Sequence, residues 1–368
     1  MNKHCKISTH AGMSLIELMV AIVIGGILLA GMASVFFNSS HAQRELEKTG
    51  QLIENGRYAI SLLTEDLRHA GYYGQFYGLD PAPAALPDPC NTATLHTNTI
   101  HMSQPIQGYN APDTDSRPDI STTSCGGLLT NPNLSPGSDI LVIRRADTAT
   151  VTGVMTTGNL YLQANSLDMN MYIGANAAPP VCNVAVPGTC KFPNTPGNTT
   201  VADTRQYHVH VYFIAPCAIG SGANGLCVNT DPRQPTLKQL TLSTNGAPAF
   251  VITPLVEGIE FFQVEYGIDT TPAAIDPVTG QPGDGVPDLY TNAPTAAQWG
   301  DVVSVRIHLL ARSPRATDDY TDTKQYCLSG IIPCPASAII LPIGDNFKRH
   351  VYSTEVRPVN MSGRRERP

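Results

Sequence analysis

Between Leu18 and Gln43 the chain carries no charged residue, and Leu18 to Phe37 is apolar almost throughout. As a helix that run is about 30 Å long, the thickness of a bilayer's hydrocarbon core. It is the only such segment in the sequence, which predicts one membrane span and no more. Lys3 and Lys6 precede it in a stretch without acids, so the N-terminus is expected inside and everything after Phe37 translocated. A cleaved secretory signal has its small residue after the apolar core. Here Gly12 stands before it, so processing at that glycine leaves the apolar run in the mature protein.

Glu17 sits one residue before the apolar run. A carboxylate at the edge of a membrane helix costs roughly 2–4 kcal/mol if buried unpaired, so it needs a partner or a route to the interface. Beyond the membrane the helical pattern continues. Leu46, Ile53, Ile60 and Leu67 recur at seven-residue spacing with Leu52, Ala59 and Leu63 beside them, while Arg44, Glu47, Lys48, Glu54, Arg57 and Glu65 fall mostly on other faces. The spacing predicts one helix from Met13 to about His69, apolar all round in its first half and packed on a head in its second. Gly25, Gly26 and Gly31 weaken it by ~1 kcal/mol each relative to Ala. Gly71 and Gly74 end it.

No long amphipathic pattern recurs after Gly74. Strand-like runs do, at Asp139–Arg145, Asn159–Gln163, Gln206–Ile214, Leu237–Ser243, Phe250–Tyr266, Asp301–Arg312 and His350–Val359, parted by Pro, Gly, Asn and Thr clusters. The expected fold class is α+β, a long N-terminal helix packed on an antiparallel sheet. Segments 78–137 and 174–205 read as long loops over that sheet. The expected organisation is a leader at 1–12, a membrane half of the helix at 13–37, its amphipathic half at 38–74 and a β-rich head at 75–368.

Eight of the nine cysteines lie beyond residue 89, which points to an oxidising compartment. Cys182/Cys190, Cys217/Cys227 and Cys327/Cys334 are near neighbours in sequence, and Cys90 with Cys125 remains. Four local bridges are the simplest of the many pairings that eight cysteines allow. Cys5 precedes the span and is expected to stay a free thiol.

Little in the chain points to catalysis. It has no H-E-x-x-H, no P-loop, no G-x-S-x-G and no G-x-G-x-x-G between strand and helix, which disfavours an enzyme. The net charge of −7, spread without a basic stripe, disfavours nucleic-acid binding. His208 and His210 share one face of an expected strand but lack a third ligand in view. Asp269, Asp276, Asp284 and Asp288, set among Gly and Pro, make a candidate calcium loop without EF-hand spacing. The competing reading is an ordinary acidic turn.

Gly12-Met13-Ser14-Leu15-Ile16-Glu17-Leu18, between a basic leader and an apolar block, resembles the class III signal of type IV pilins and type II secretion pseudopilins. That resemblance implies cleavage by a prepilin peptidase between Gly12 and Met13, N-methylation of Met13, and a Glu17 that neutralises an N-terminal amine during assembly. Met13 stands where the family usually has Phe. Further on, EDLRHAGYYG, EYGID, the run Trp299–Ser313 and RHVYSTEVRPVN resemble the PilW group of minor pilins over about a third of the chain. The implied protein is a minor pilin priming or capping a type IV pilus. Its implied partners are other minor pilins, the major pilin, the inner-membrane assembly platform and a pilus-tip adhesin. It is expected in the inner membrane, N-terminus cytoplasmic and head periplasmic, then in the fibre or at its tip. Two alternatives compete: a J-type pseudopilin, which keeps the fold, and an adhesive module of another class whose loops 78–137 and 174–205 recognise a surface, glycan or DNA. An anchored hydrolase would need a catalytic constellation that the sequence does not display.

Overall fold

The computed structural model describes residues 12–76, 85–91, 101–166, 169–175, 177, 202–243, 249–271, 284–341 and 343–365. The chain divides into two units, Met1–Gly50 and Gln51–Pro368. Helix α1, Leu15–Arg68, is a single element of 54 residues that Gly25, Gly26 and Gly31 do not interrupt. In the first unit its apolar side chains stand free. The most apolar window is long enough to cross a membrane and has none of its residues buried.

In the second unit α1 buries Leu52, Gly56, Ala59, Leu63, Asp66 and Leu67, steps that trace one face. The expected stripe is Leu46, Ile53, Ile60 and Leu67 with Leu52, Ala59 and Leu63 beside them, and the last three are buried. Of the heptad residues Leu67 is buried, Ile60 half-buried, and Ile53 and Leu46 exposed. The seam therefore runs along the Leu52, Ala59 and Leu63 side of the stripe, where a small residue permits close approach: a Cβ at Gly56 would overlap the Tyr352 ring. Past the end of α1, Gly71 and Gly74 take φ of +72° and +69°, which glycine adopts without steric cost. The Gly71 N–H is thereby turned onto the Arg144 carbonyl at 3.0 Å.

The head is antiparallel throughout its described strands. A seven-stranded sheet contains β1 (Ile106–Tyr109), β2 (Ile140–Ala146), β3 (Leu160–Ala164), β4 (Met169–Ile173), β5 (Thr204–Ala215), β6 (Thr236–Ser243) and β7 (Ala249–Glu257). Its path is β1-β2-β5-β3-β4, with β6 on β5 and β7 on β6. A four-stranded sheet is formed by β8 (Ile259–Ile268), β9 (Leu289–Thr291), β10 (Val302–Arg312) and β13 (Arg349–Val356), in the order β13-β10-β8-β9. Between them in sequence, β11 (Tyr326–Cys327) and β12 (Ile339–Ile340) pair as a ribbon, and α2 (Val359–Arg365) closes the chain.

One core joins α1 to both sheets: Leu63 and Leu67 meet Leu141, Ile143, Tyr212 and Ile214 from the first sheet and Phe262, Val264, Ile307 and Leu309 from the second. A second core lies on the other face of the first sheet, where Val142, Val209, Val211 and Phe213 are covered by Leu129, Leu134 and the Cys90 and Cys125 region. Strands β2 and β5 are therefore buried on both faces, which explains the unbroken apolar run Ile140–Ile143. Arg349 of β13, its side chain fully buried, pins the 313–348 excursion through Asp322 at 2.9 Å and Asp345 at 2.6 Å, and holds β8 through Glu260 at 2.6 Å.

The expected run Phe250–Tyr266 is two strands, β7 and β8. Gly258, at φ +81°, turns the chain between the sheets, donating to Pro235 O at 2.7 Å and accepting from Arg312 N at 2.8 Å. The run ending at Val359 stops at Val356, because Pro358 cannot donate to a ladder and its carbonyl accepts the N–H groups of Met361 and Ser362 in α2. The segment read as loop over 78–137 holds β1, whose four residues pair only along the edge of β2.

Candidate assembly site

Gly12, Met13 and Ser14 precede α1 and are exposed, and the first helical bond runs from Leu18 N to Ser14 O at 3.1 Å. Glu17 lies in the first turn, where unpaired N–H groups and the helix dipole favour an anion. Glu17 is exposed as well. Lys3, Cys5 and Lys6 of the leader lie outside the described residues.

At the other end of α1, a polar cluster docks the helix onto the first sheet. Asp66 is 5% exposed. Its Oδ1 accepts from Arg145 Nε at 2.6 Å, and its Oδ2 lies 2.8 Å from His210 Nδ1 and accepts the Tyr212 hydroxyl at 2.8 Å. Gln239 Nε2 donates to that hydroxyl at 2.8 Å, carrying the network across β5 to β6. Burial by itself raises the Asp66 pKa, but His210 and Arg145 outweigh it and hold the carboxyl well below the usual range. Asp66 is thus the one charged group among the buried residues of α1, on a stripe otherwise apolar or small. One register further along β2, Arg144 is fully buried, with donors to Gln104 O at 2.7 Å and Gln107 Oε1 at 2.8 Å.

Among the described residues three disulfides staple the head: Cys90–Cys125, Cys217–Cys227 and Cys327–Cys334, at sequence separations of 35, 10 and 7. Cys182 and Cys190 lie outside the described residues. Lys238 is 1% exposed, and its Nζ stands 3.5 Å from Cys227 Sγ and 3.8 Å from Cys217 Sγ.

The candidate metal ligands have protein partners. His210 faces Asp66, His208 Nε2 lies 3.4 Å from Asp147, and the two rings stand 5.3 Å apart. Asp269, fully buried, accepts the N–H of Thr271 at 2.9 Å and of Gly285 at 3.1 Å. Asp284 caps Val286 N at 2.9 Å and Asp288 accepts Thr270 N at 2.8 Å. Asp276 lies outside the described residues. Among the described residues no group of three His, Cys, Asp or Glu side chains is arranged to hold a metal.

Two family models match this chain. One, described as type IV pilus-assembly protein W, covers residues 211–360, from within β5 to the start of α2. The other, the prokaryotic N-terminal methylation motif, covers residues 7–33, including Gly12, Met13 and Glu17. No curated protein matches. Among solved structures the chain is similar to a type IV-like pilin from Thermus thermophilus, at 14% identity over 56% of this chain and 86% of that one, with a TM-score of 0.22. The prepilin motif thus matches at the head of the one long apolar helix and the PilW model through strands that this helix packs on, and over those residues the chain is similar to the type IV pilus-assembly proteins of the PilW family.

Proposed function

We propose that prepilin peptidase cuts this chain between Gly12 and Met13, that Met13 is then methylated, and that Glu17 pairs with an N-terminal ammonium as the subunit joins other minor pilins to prime or cap the fibre. The carrying observation is the arrangement at the start of α1. An exposed glycine precedes the helix, Glu17 is the fifth residue from the proposed new N-terminus, and an unbroken apolar surface follows. Apolar helices side by side in a fibre keep that surface from water once it has left lipid. The head then stands on the periplasmic side, in reach of the major pilin and the assembly platform, and its role is structural with no catalysis of its own.

The test is Glu17→Ala at matched abundance, with mass spectrometry of the extracted chain. An unpaired charge in an apolar bundle costs about 3–5 kcal/mol, roughly two to four powers of ten in association. The mutant is expected to begin at Met13, to stay membrane-bound, and to support few or no pili. Wild-type piliation would refute the role of Glu17. A chain that retains Met1 in a strain with active peptidase would refute the processing site.

A further inference from the structure

Strand β13 is an outer strand of its sheet: it pairs with β10 on one side and with no described strand on the other. The Ser313 N–H donates to Lys348 O at 2.8 Å, which fixes the alternation of the ladder. With Ser313 and Lys348 as a hydrogen-bonded pair, the register Arg312↔Arg349 to Val305↔Val356 turns the N–H and C=O of Val351, Ser353 and Glu355 away from β10. These groups form a ready row of donors and acceptors.

Beside that edge lies a groove of about 640 Å³, lined by Arg57, Ile60, Thr64 and Arg68 of α1 and by Tyr352, Ser353 and Thr354 of β13. Successive strand side chains point to opposite faces, so three consecutive lining residues mean that the backbone edge itself opens into the groove. The floor is apolar at Ile60 and Tyr352. Thr64 Oγ1 is buried there without a hydrogen-bond partner. Neither Arg57 nor Arg68 has an ion-pair partner among the described residues, and Glu65 is the one acid lining the groove. The groove thus offers backbone pairing, an apolar strip and an excess of positive charge within a head of net negative character.

We propose that the free edge of β13 takes up, as a fifth strand, an extended segment of a neighbouring pilin that bears a carboxylate for Arg57 or Arg68 and an apolar side chain for Ile60 and Tyr352. Main-chain pairing gives such a contact its affinity and alternate side chains give it selectivity. The partner's identity rests on the minor-pilin reading above. The edge geometry does not.

The experiment uses the full chain in its own membrane. Ser353→Pro removes an N–H that the β10 ladder does not use, at a strand edge where proline is tolerated, and blocks an incoming strand. A photo-crosslinking residue is placed separately at Ser61, which lines the groove, and at Val154, which is exposed and outside it. The expected result is a Ser61 adduct with another pilin, no such adduct at Val154, and a loss of co-purified pilins of about tenfold or more in Ser353→Pro, the scale of one or two lost interfacial hydrogen bonds. Normal piliation and co-purification of Ser353→Pro overturn the proposal. If that variant does not accumulate, the Ser61 probe decides: an adduct with another pilin supports the proposal, and its absence overturns it. A Ser61 adduct with a second copy of this chain also overturns it. Deletion of the whole chain without loss of pili would sink the minor-pilin reading instead, so the two failures are distinguishable.

Discussion

Replacing Asp66 with alanine is expected to undock the end of α1. The substitution removes the acceptor of three groups at once: Arg145 at 2.6 Å, His210 at 2.8 Å and Tyr212 at 2.8 Å. Breaking a buried pair costs about 3–5 kcal/mol when the abandoned charge has no other recourse. Arg145 retains Asp147 at 3.3 Å and its side chain is 19% exposed, and Tyr212 retains Gln239. The cost therefore falls near the lower end, about 3 kcal/mol. For a domain this large each kcal/mol is worth about 2 °C in Tm, so the drop is about 6 °C. The assay is thermal unfolding of the detergent-solubilised full chain, with limited proteolysis reading release of α1. The pH dependence carries its own sign. The folded-state pKa of Asp66 is depressed, so its contribution is complete above the unfolded value of about 4 and is lost as pH falls through the acid range. The gap between wild type and Asp66→Ala should be constant at neutral pH and close below about pH 4. A Tm within about 1 °C of wild type at pH 7, or a gap that widens on acidification, would refute the reasoning.

Losing the Cys217–Cys227 bridge through paired serine substitutions should cost about 3 kcal/mol in the chain-entropy model for a loop of that size, seen as a lower urea midpoint. An unchanged midpoint would mean that the bridge leaves the unfolded chain no less constrained. Gly56→Ala should destabilise the head by about 1–3 kcal/mol by driving the Tyr352 ring out of the seam, and Gly56→Ala with Tyr352→Leu should recover part of it. No recovery would place the clash elsewhere. Calcium added to the full chain is expected to give no binding heat and no melting shift, because Asp269, Asp284 and Asp288 already cap their own loop. Saturable heat at micromolar calcium would restore the metal reading and bring Asp276 into it.

The sequence pattern carries the elements whose signals are local. Apolar continuity marks Leu18–Phe37, and strands β2, β5 and β10 coincide with the runs expected for them. Of the expected helix stripe Leu52, Ala59, Leu63 and Leu67 are buried, while Leu46 and Ile53 are exposed, and the seam includes Gly56, which an apolar count passes over because it has no side chain to weigh. Strands β1, β9, β11 and β12 are two to four residues long, too short for alternation to stand out. The docking cluster was invisible for another reason: Asp66 meets Arg145 across 79 residues, and His210 and Tyr212 across 144 and 146. One clue was present. Asp66 stands three residues after Leu63 and seven after Ala59, on the stripe where the helix otherwise keeps only apolar or small residues.

The three observed disulfides close loops of 35, 10 and 7 residues, and none ties α1 to a sheet. Each can therefore be oxidised as soon as its own short segment is available, before any distant strand has found its place. A chain with every one of these sulfurs correctly joined can still lack its tertiary structure, and thiol-blocking assays would score it as mature. The covalent record and the conformational one are separate in this protein, and only the second reports whether the helix has been seated.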